Sequence, residues 1–275
     1  MTQPIVSVQW LNENLANSNL IILDASQGKT ASGKVSNLEN VQIFGSKFFD
    51  LKNTFSDQNS IYSNMLPSPQ LFETECQKLG INDSSIIIVY DNLGIYYSPR
   101  VWWMFKTMGH DKVFVLDGGL PEWNKAKYEL VKKEVTKSEI GNFKSNFKTG
   151  NVKDHNFILQ NIKSKKTLLI DARSEDRFFG RKKEPRPNAK SGHIPRSINI
   201  HYDTVLKGNT FKSSNELGNL FEQKNINDKP LVFTCGSGVT ACILFLASEL
   251  VLKNSKSIYD GSWNEWSQID GLPIG

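Results

Sequence analysis

Three segments from the first half of the chain recur, in the same order, in the second half. LIILDAS at 20–26 pairs with LLIDARS at 168–174, and IIIVYDNLGI at 86–95 pairs with LVFTCGSGVT at 231–240. VFVLDGGLPEWNKA at 113–126 pairs with KSIYDGSWNEWSQI at 256–269. Asp24 therefore aligns with Asp171, Asp91 with Cys235 and Trp123 with Trp266, at offsets of 147, 144 and 143. Solenoid repeats are far shorter, about 20–50 residues, so a drift this small at this length means a duplicated domain. A chain of 275 residues holds two such units, and an apolar share of 39% with 11% aromatics gives each enough core to exclude disorder.

Each half reads as the same α/β unit. A short helix (7–16; 154–164) precedes an apolar run that ends in Asp24 or Asp171. A helix (68–79; 214–224), a second apolar run (85–90; 230–234), a loop and a strongly apolar helix (99–108; 239–252) follow. A third short run ends in Asp117-Gly118 or Asp260-Gly261 and leads into a Trp-bearing helix. Continuous apolar strands alternating with helices predict mainly parallel sheets with helices on both faces. The domains are placed at 1–130 and 154–275, joined by a Lys-, Asn-, Ser- and Gly-rich linker at 131–153.

The charge is mildly basic, +5, with much of the excess in the Lys-rich stretch 125–153. A solvated stretch accounts for it, and no nucleic-acid partner is expected. Three cysteines (Cys76, Cys235, Cys242) are odd in number and too few for a disulfide framework. With no basic-then-apolar leader in MTQPIVSVQWLNEN, the expected compartment is the reducing cytoplasm. The longest apolar run, 241–252, contains Ser248 and Glu249 and falls well short of the ~20 residues a bilayer requires. No membrane partner is expected.

One loop carries the chemistry. Strand PLVFT runs into Cys235-Gly236-Ser237-Gly238-Val239-Thr240 and then into a helix. Ligands of open parallel sheets bind beyond the carboxyl ends of the strands. Backbone N–H groups and a helix N-terminus converge there and favour an anion, so the field favours thiolate over thiol at Cys235. Gly236 and Gly238 let the backbone curl round the sulfur, while Ser237 and Thr240 add hydroxyls. A bland alternative is a buried cysteine acting as a small hydrophobe. The reactive reading requires a sulfur that solvent reaches.

These residues resemble the two-domain rhodanese-fold sulfurtransferases, and most closely the 3-mercaptopyruvate sulfurtransferases, whose active loop reads CG[ST]GVT. The resemblance covers nearly the whole chain: VSVQWLNENL, LIILDAS, FFD, SPRVWWMF, DGGLPEW, DARSEDRF, EPRP, GHIPRSINI, CGSGVTA and DGSWNEW. It implies two tandem rhodanese-like domains. The first is catalytically silent, with Asp91 in the place of the cysteine. Cys235 is then the nucleophile that takes a sulfane sulfur as a persulfide. Arg177 and Arg186 bind the donor carboxylate and carbonyl, as guanidinium forks suit carboxylates. Gly236, Ser237, Gly238, Val239 and Thr240 form the anion cradle. The donor is 3-mercaptopyruvate and the acceptor a thiol such as thioredoxin or glutathione, or cyanide. No cofactor or metal is called for, and a monomer suffices.

Two departures from that family stand out. Several members carry a His just before MLP and an acid after FFDL, forming a relay with the loop serine. Here those positions are Asn64 and Lys52, so no relay is assigned to Ser237. Three rivals remain. Thiosulfate-using relatives carry a basic pair after the cysteine, whereas Gly236 and Ser237 are neutral. A phosphatase or arsenate reductase needs an Arg six residues after the cysteine, where Ala241 stands. A persulfide carrier for a biosynthetic partner uses the same cysteine. Cys76 and Cys242 are expected to be core thiols, and His193 a structural one.

Overall fold

The computed structural model describes residues 3–30, 32–134, 138–226 and 228–275. They divide into two compact units: residues 1–58, 66–148 and 208–211 form the first, and 59–65, 149–207 and 212–275 the second.

In the first unit the strands β1 (Ile5–Val6), β2 (Leu20–Asp24), β3 (Lys47–Phe48), β4 (Ile86–Tyr90) and β5 (Val113–Leu116) form one sheet in the order β1-β5-β4-β2-β3. Every pairing in it is parallel. Its helices are α1 (Val8–Asn14), α2 (Pro69–Lys78), α3 (Ser98–Thr107) and α4 (Gly119–Lys125). Ser7 and Ser68 start α1 and α2 by accepting the N–H of Trp10 and Leu71, and Pro69 sits where a missing N–H costs nothing.

The second unit repeats the plan. Strands β6 (Val152–Lys153), β7 (Leu168–Asp171), β8 (Ile198–Asn199), β9 (Leu231–Thr234) and β10 (Lys256–Tyr259) pair in the order β8-β7-β9-β10-β6, again all parallel. Read from the other edge, that is the strand order of the first sheet. Its helices are α5 (His155–Ser164), α6 (Glu175–Phe178), α7 (Ser214–Gln223), α8 (Ala241–Glu249) and α9 (Ser262–Trp266). Asp154 caps α5, and Ser213 with Glu216 forms a capping box on α7. All four residues of β9 are buried, as are Ile87 to Tyr90 in β4. Side chains alternate faces along a strand, so both faces of each sheet are covered, as the continuous apolar runs predict.

The stretch read as a linker behaves differently. Residues 135–137 lie outside the described residues, but 138–148 run along the first unit. Phe143 is fully buried against Phe72 and Phe105, with ring centroids 5.8 and 5.9 Å away. Its N–H donates to the Ile81 carbonyl, and its own carbonyl accepts from Gln77 Nε2. A Cβ on Gly141 would lie 2.1 Å from the Ile81 oxygen, so only glycine allows that approach. A single aromatic anchor in a polar stretch gives no periodic signal, which is why composition alone reads it as solvated.

Candidate active site

The second unit places Cys235 directly after β9, at the carboxyl end of a central strand, with α8 starting six residues on. The loop takes its turn at Gly238, whose φ of +74° is natural only for glycine. Its peptide is held from the next strand–helix corner. The Cys235 N–H donates to Ser262 Oγ at 3.3 Å, and the Cys235 and Gly236 carbonyls accept the N–H groups of Trp263 and Asn264, both at 3.0 Å. Among the described residues, nothing accepts the N–H groups of Gly236, Ser237, Gly238, Val239 or Thr240. Five donors beside one sulfur suit an anion. Residues 235–239 are all buried, and Cys235 is 2% exposed. That is well short of the open sulfur the sequence reading requires.

Both candidate arginines converge on this loop. A Cβ on Gly236 would lie 3.0 Å from Arg177 Nη2 and 3.1 Å from Arg186 Nη1. The two guanidinium groups thus lie against the open side of Gly236, where a side chain would have to displace them. Arg177 projects from α6 and is gripped by Glu184, with Nε at 3.0 Å and Nη2 at 2.5 Å from its two oxygens. Glu184 also pairs with Arg173 Nη1 at 2.9 Å, and Arg173 pairs with Asp171 at 2.7 Å and lies over the Trp263 ring. Burial works against the Arg173 charge, but the carboxylates of Asp171 and Glu184 outweigh it and hold the guanidinium above its ordinary range. Two cations and two anions balance inside this network, which leaves Arg177 oriented rather than free to swing.

Ser237 Oγ accepts a hydrogen bond from Arg186 Nη2 at 2.7 Å and another from Asn64 Nδ2 at 3.0 Å. Arg186 Nε also donates to Ser63 Oγ at 3.2 Å. The 59–65 segment belongs to this unit although it is encoded in the first half of the chain.

The first unit offers an internal comparison. Asp91, at the place of Cys235, is completely buried, and its Oδ2 accepts the N–H groups of Tyr96, Tyr97 and Ser98, each at 2.9 Å. Its Oδ1 accepts from Leu93 N–H at 2.9 Å. That loop binds an anion, and the anion is its own side chain.

Other expectations can be placed briefly. Cys76 lies in the core, where burial, then the Glu75 charge, pushes its thiol up. Cys242 is fully buried and donates its S–H to the Gly238 carbonyl. His193 bonds through Nδ1 to the Phe178 carbonyl and stacks on that ring. Among the described residues no cluster of His, Cys, Asp and Glu suits a metal ion, and no helix is long and apolar enough to cross a membrane.

Sequence reasoning passed over Glu184, Ser63 and Ser262, and treated Asn64 only as a departure. Two signals were available. Glu184 is an acid next to a run of Arg and Lys, in EPRP. Ser262 aligns with Gly119 of the first half, and both have positive φ, +54° and +51°. A serine standing where the other copy has a left-handed glycine marks a strained position with a reason to exist.

A rhodanese-like domain model matches residues 7–126 and 155–269. The thiosulfate/3-mercaptopyruvate sulfurtransferase 2 of Arabidopsis thaliana is 36% identical over 99% of this chain and 86% of its own length. The 3-mercaptopyruvate sulfurtransferase of Rattus norvegicus is 38% identical over 95% of this chain and 91% of its own. The thiosulfate sulfurtransferase of the same animal is 36% identical, also over 95% and 91%. The crystal structure of SseA from Escherichia coli, described as a 3-mercaptopyruvate sulfotransferase with the rhodanese fold, superposes with a TM-score of 0.84 at 30% identity, covering 95% of this chain and 99% of that one.

Proposed function

The chain belongs to the rhodanese-like family, and from that premise we propose that it is a 3-mercaptopyruvate sulfurtransferase working through Cys235. The observation that carries this reading is the pair of guanidinium groups at Gly236, one residue from the sulfur. A donor whose carbonyl carbon lies two bonds and whose carboxylate carbon lies three bonds from its thiol sulfur carries both groups close to its reacting end, and guanidinium groups suit such oxygens.

In the reaction, the Cys235 thiolate attacks the donor sulfur and the carbon–sulfur bond breaks. The electron pair passes to the enolate of pyruvate, and the proton of the donor thiol ends on its methyl carbon. The persulfide then hands its outer sulfur to an acceptor thiol, such as thioredoxin or glutathione, or to cyanide, in a ping-pong sequence. The amides of Gly236 to Thr240 stabilise the anionic sulfur without reorganising. Arg177, Arg186 and Ser237 bind the donor, and the first domain, with Asp91 in its loop, carries no chemistry. Three free, buried cysteines suit a reducing, cytoplasmic setting, and a monomer is enough for every step.

Identity to relatives named for either donor is nearly equal, 38% against 36%, so the choice of donor rests on the loop. Thiosulfate is a dianion, and the two positions after Cys235 are neutral. Turnover with 3-mercaptopyruvate and thiosulfate, measured side by side with intact mass of the protein, tests the reading. One added sulfur atom and faster turnover with 3-mercaptopyruvate are expected, and Cys235→Ser removes both. A wild-type preference for thiosulfate overturns the donor; an active Cys235→Ser overturns the mechanism. A protein that loads sulfur yet turns over with no small thiol is a persulfide carrier for a partner.

A further inference from the structure

We infer that Asn64 is a positioning residue that, together with Arg186, makes the Ser237 hydroxyl a one-way hydrogen-bond donor to the substrate. The inference rests on the sulfurtransferase reading above and adds to it a role for a residue outside the loop and outside the arginine pair.

A serine hydroxyl has one proton and two lone pairs. At Ser237 both lone pairs are occupied by groups that only donate there, the Arg186 guanidinium at 2.7 Å and the Asn64 amide N–H at 3.0 Å. Among the described residues no atom accepts the Ser237 proton, although the residue is 5% exposed. Its O–H is therefore held for something that is not part of the protein. A cation on the oxygen polarises the O–H bond and strengthens it as a donor. In the first step negative charge grows on the donor's carbonyl oxygen as the enolate leaves. A donor already aimed, which needs no reorientation, stabilises that charge more than it stabilises the neutral carbonyl.

Asn64 reaches this place by its own local structure. Its φ of +63° is in the left-handed region, which Asn tolerates better than most residues. An amide does not titrate, so the pair Asn64–Ser237 has no base that could take the serine proton. A histidine or an acid at 64 would accept the proton and turn the hydroxyl away from substrate. The side chain at 64 thus decides whether Ser237 gives its proton outward to substrate or inward to a base.

The test is a double-mutant cycle with 3-mercaptopyruvate. Asn64→Gly preserves the left-handed backbone and removes the amide. Asn64→Asp preserves shape and replaces a donor with an acceptor. Loss of one oriented hydrogen bond in the transition state costs about tenfold in kcat, with KM changed less. In a Ser237→Ala background the same substitutions at 64 should change kcat less than about twofold. Asn64→His should add a pH dependence that the wild type lacks, with kcat rising as pH falls through about 6.5 and the imidazole becomes a donor. Equal costs at position 64 with and without the Ser237 hydroxyl overturn the inference, as does an Asn64→Asp enzyme with wild-type kcat. A wild type that takes no sulfur from 3-mercaptopyruvate overturns the functional reading itself, and the inference falls with it.

Discussion

Ser98 gives both its backbone N–H and its hydroxyl to the same oxygen of Asp91, at 2.9 and 2.8 Å. Ser98 is the first residue of α3, and the N–H groups of Tyr96 and Tyr97 join it on that oxygen. The first domain therefore retains a working anion cradle, occupied by a carboxylate of its own.

Removing that carboxylate should leave several buried donors unpaired. Asp91→Gly is expected to destabilise the protein by about 5 kcal/mol or more, since the N–H groups of Leu93, Tyr96, Tyr97 and Ser98 and the Ser98 hydroxyl lose their acceptor and each orphaned buried donor costs about 1–3 kcal/mol. Millimolar sulfate should raise its melting temperature more than that of the wild type, because the variant opens a second cradle in addition to the one at Gly236 to Thr240. Equal sulfate responses in the two proteins would refute this account of the silent loop.

The Glu184 side chain is 2% exposed and grips Arg177 with both oxygens while also pairing Arg173. Glu184→Gln leaves two cations with one carboxylate between them and loosens Arg177. KM for 3-mercaptopyruvate is expected to rise about tenfold with a smaller change in kcat, the pattern of lost ground-state binding. Steady-state kinetics on variant shown folded by circular dichroism measures this. An unchanged KM would detach Arg177 from donor binding.

Asp117 is held up at about 6, first by burial and then by the Glu122 charge, against the Phe211 N–H that favours the ionised form. A carboxyl that binds its proton more tightly when folded stabilises the native state most at low pH. That contribution is complete below the unfolded value near 3.8 and is lost as pH rises to about 6. The unfolding free energy of wild type should thus fall across this window relative to Asp117→Asn, by up to about 3 kcal/mol. Parallel stability–pH curves for the two proteins would show that Asp117 titrates alike in both states.

Among the three thiols, Cys235 should react first with a small alkylating reagent. Cys76 is raised by burial and Cys242 is committed to the Gly238 carbonyl. Prior loading with 3-mercaptopyruvate should divert the label from Cys235 to its outer sulfur. Peptide mass spectrometry at short times reads both effects. A Cys235 that reacts no faster than the other two would mean that its 2% exposure closes the site to donors as well.

Much of this protein was legible in one dimension. Offsets between Asp24 and Asp171, and between Asp91 and Cys235, announced the duplication, because copies of one fold keep their apolar strands at corresponding places. The strand before Cys235 and the helix after it were readable from continuous apolar runs, since burial on both faces demands them. Arg177 and Arg186 were readable from motifs, and the folded chain brings both guanidinium groups to Gly236. The run of Phe143 along the first unit was not legible, because one buried ring in a polar segment has no period.

By itself, the sequence determined the twofold plan, the parallel sheets and the loop that presents a thiol, since these follow from hydrophobic spacing and from glycine's freedom at a turn. The tertiary structure alone decided which groups meet that thiol's neighbours. Asn64 lies 173 residues from Ser237, and Glu184 works through two arginines on either side of it in the fold. Hydrogen-bond partners and the neutralisation of buried charge depend on positions in space, and the spacing of residues along a chain carries no record of them.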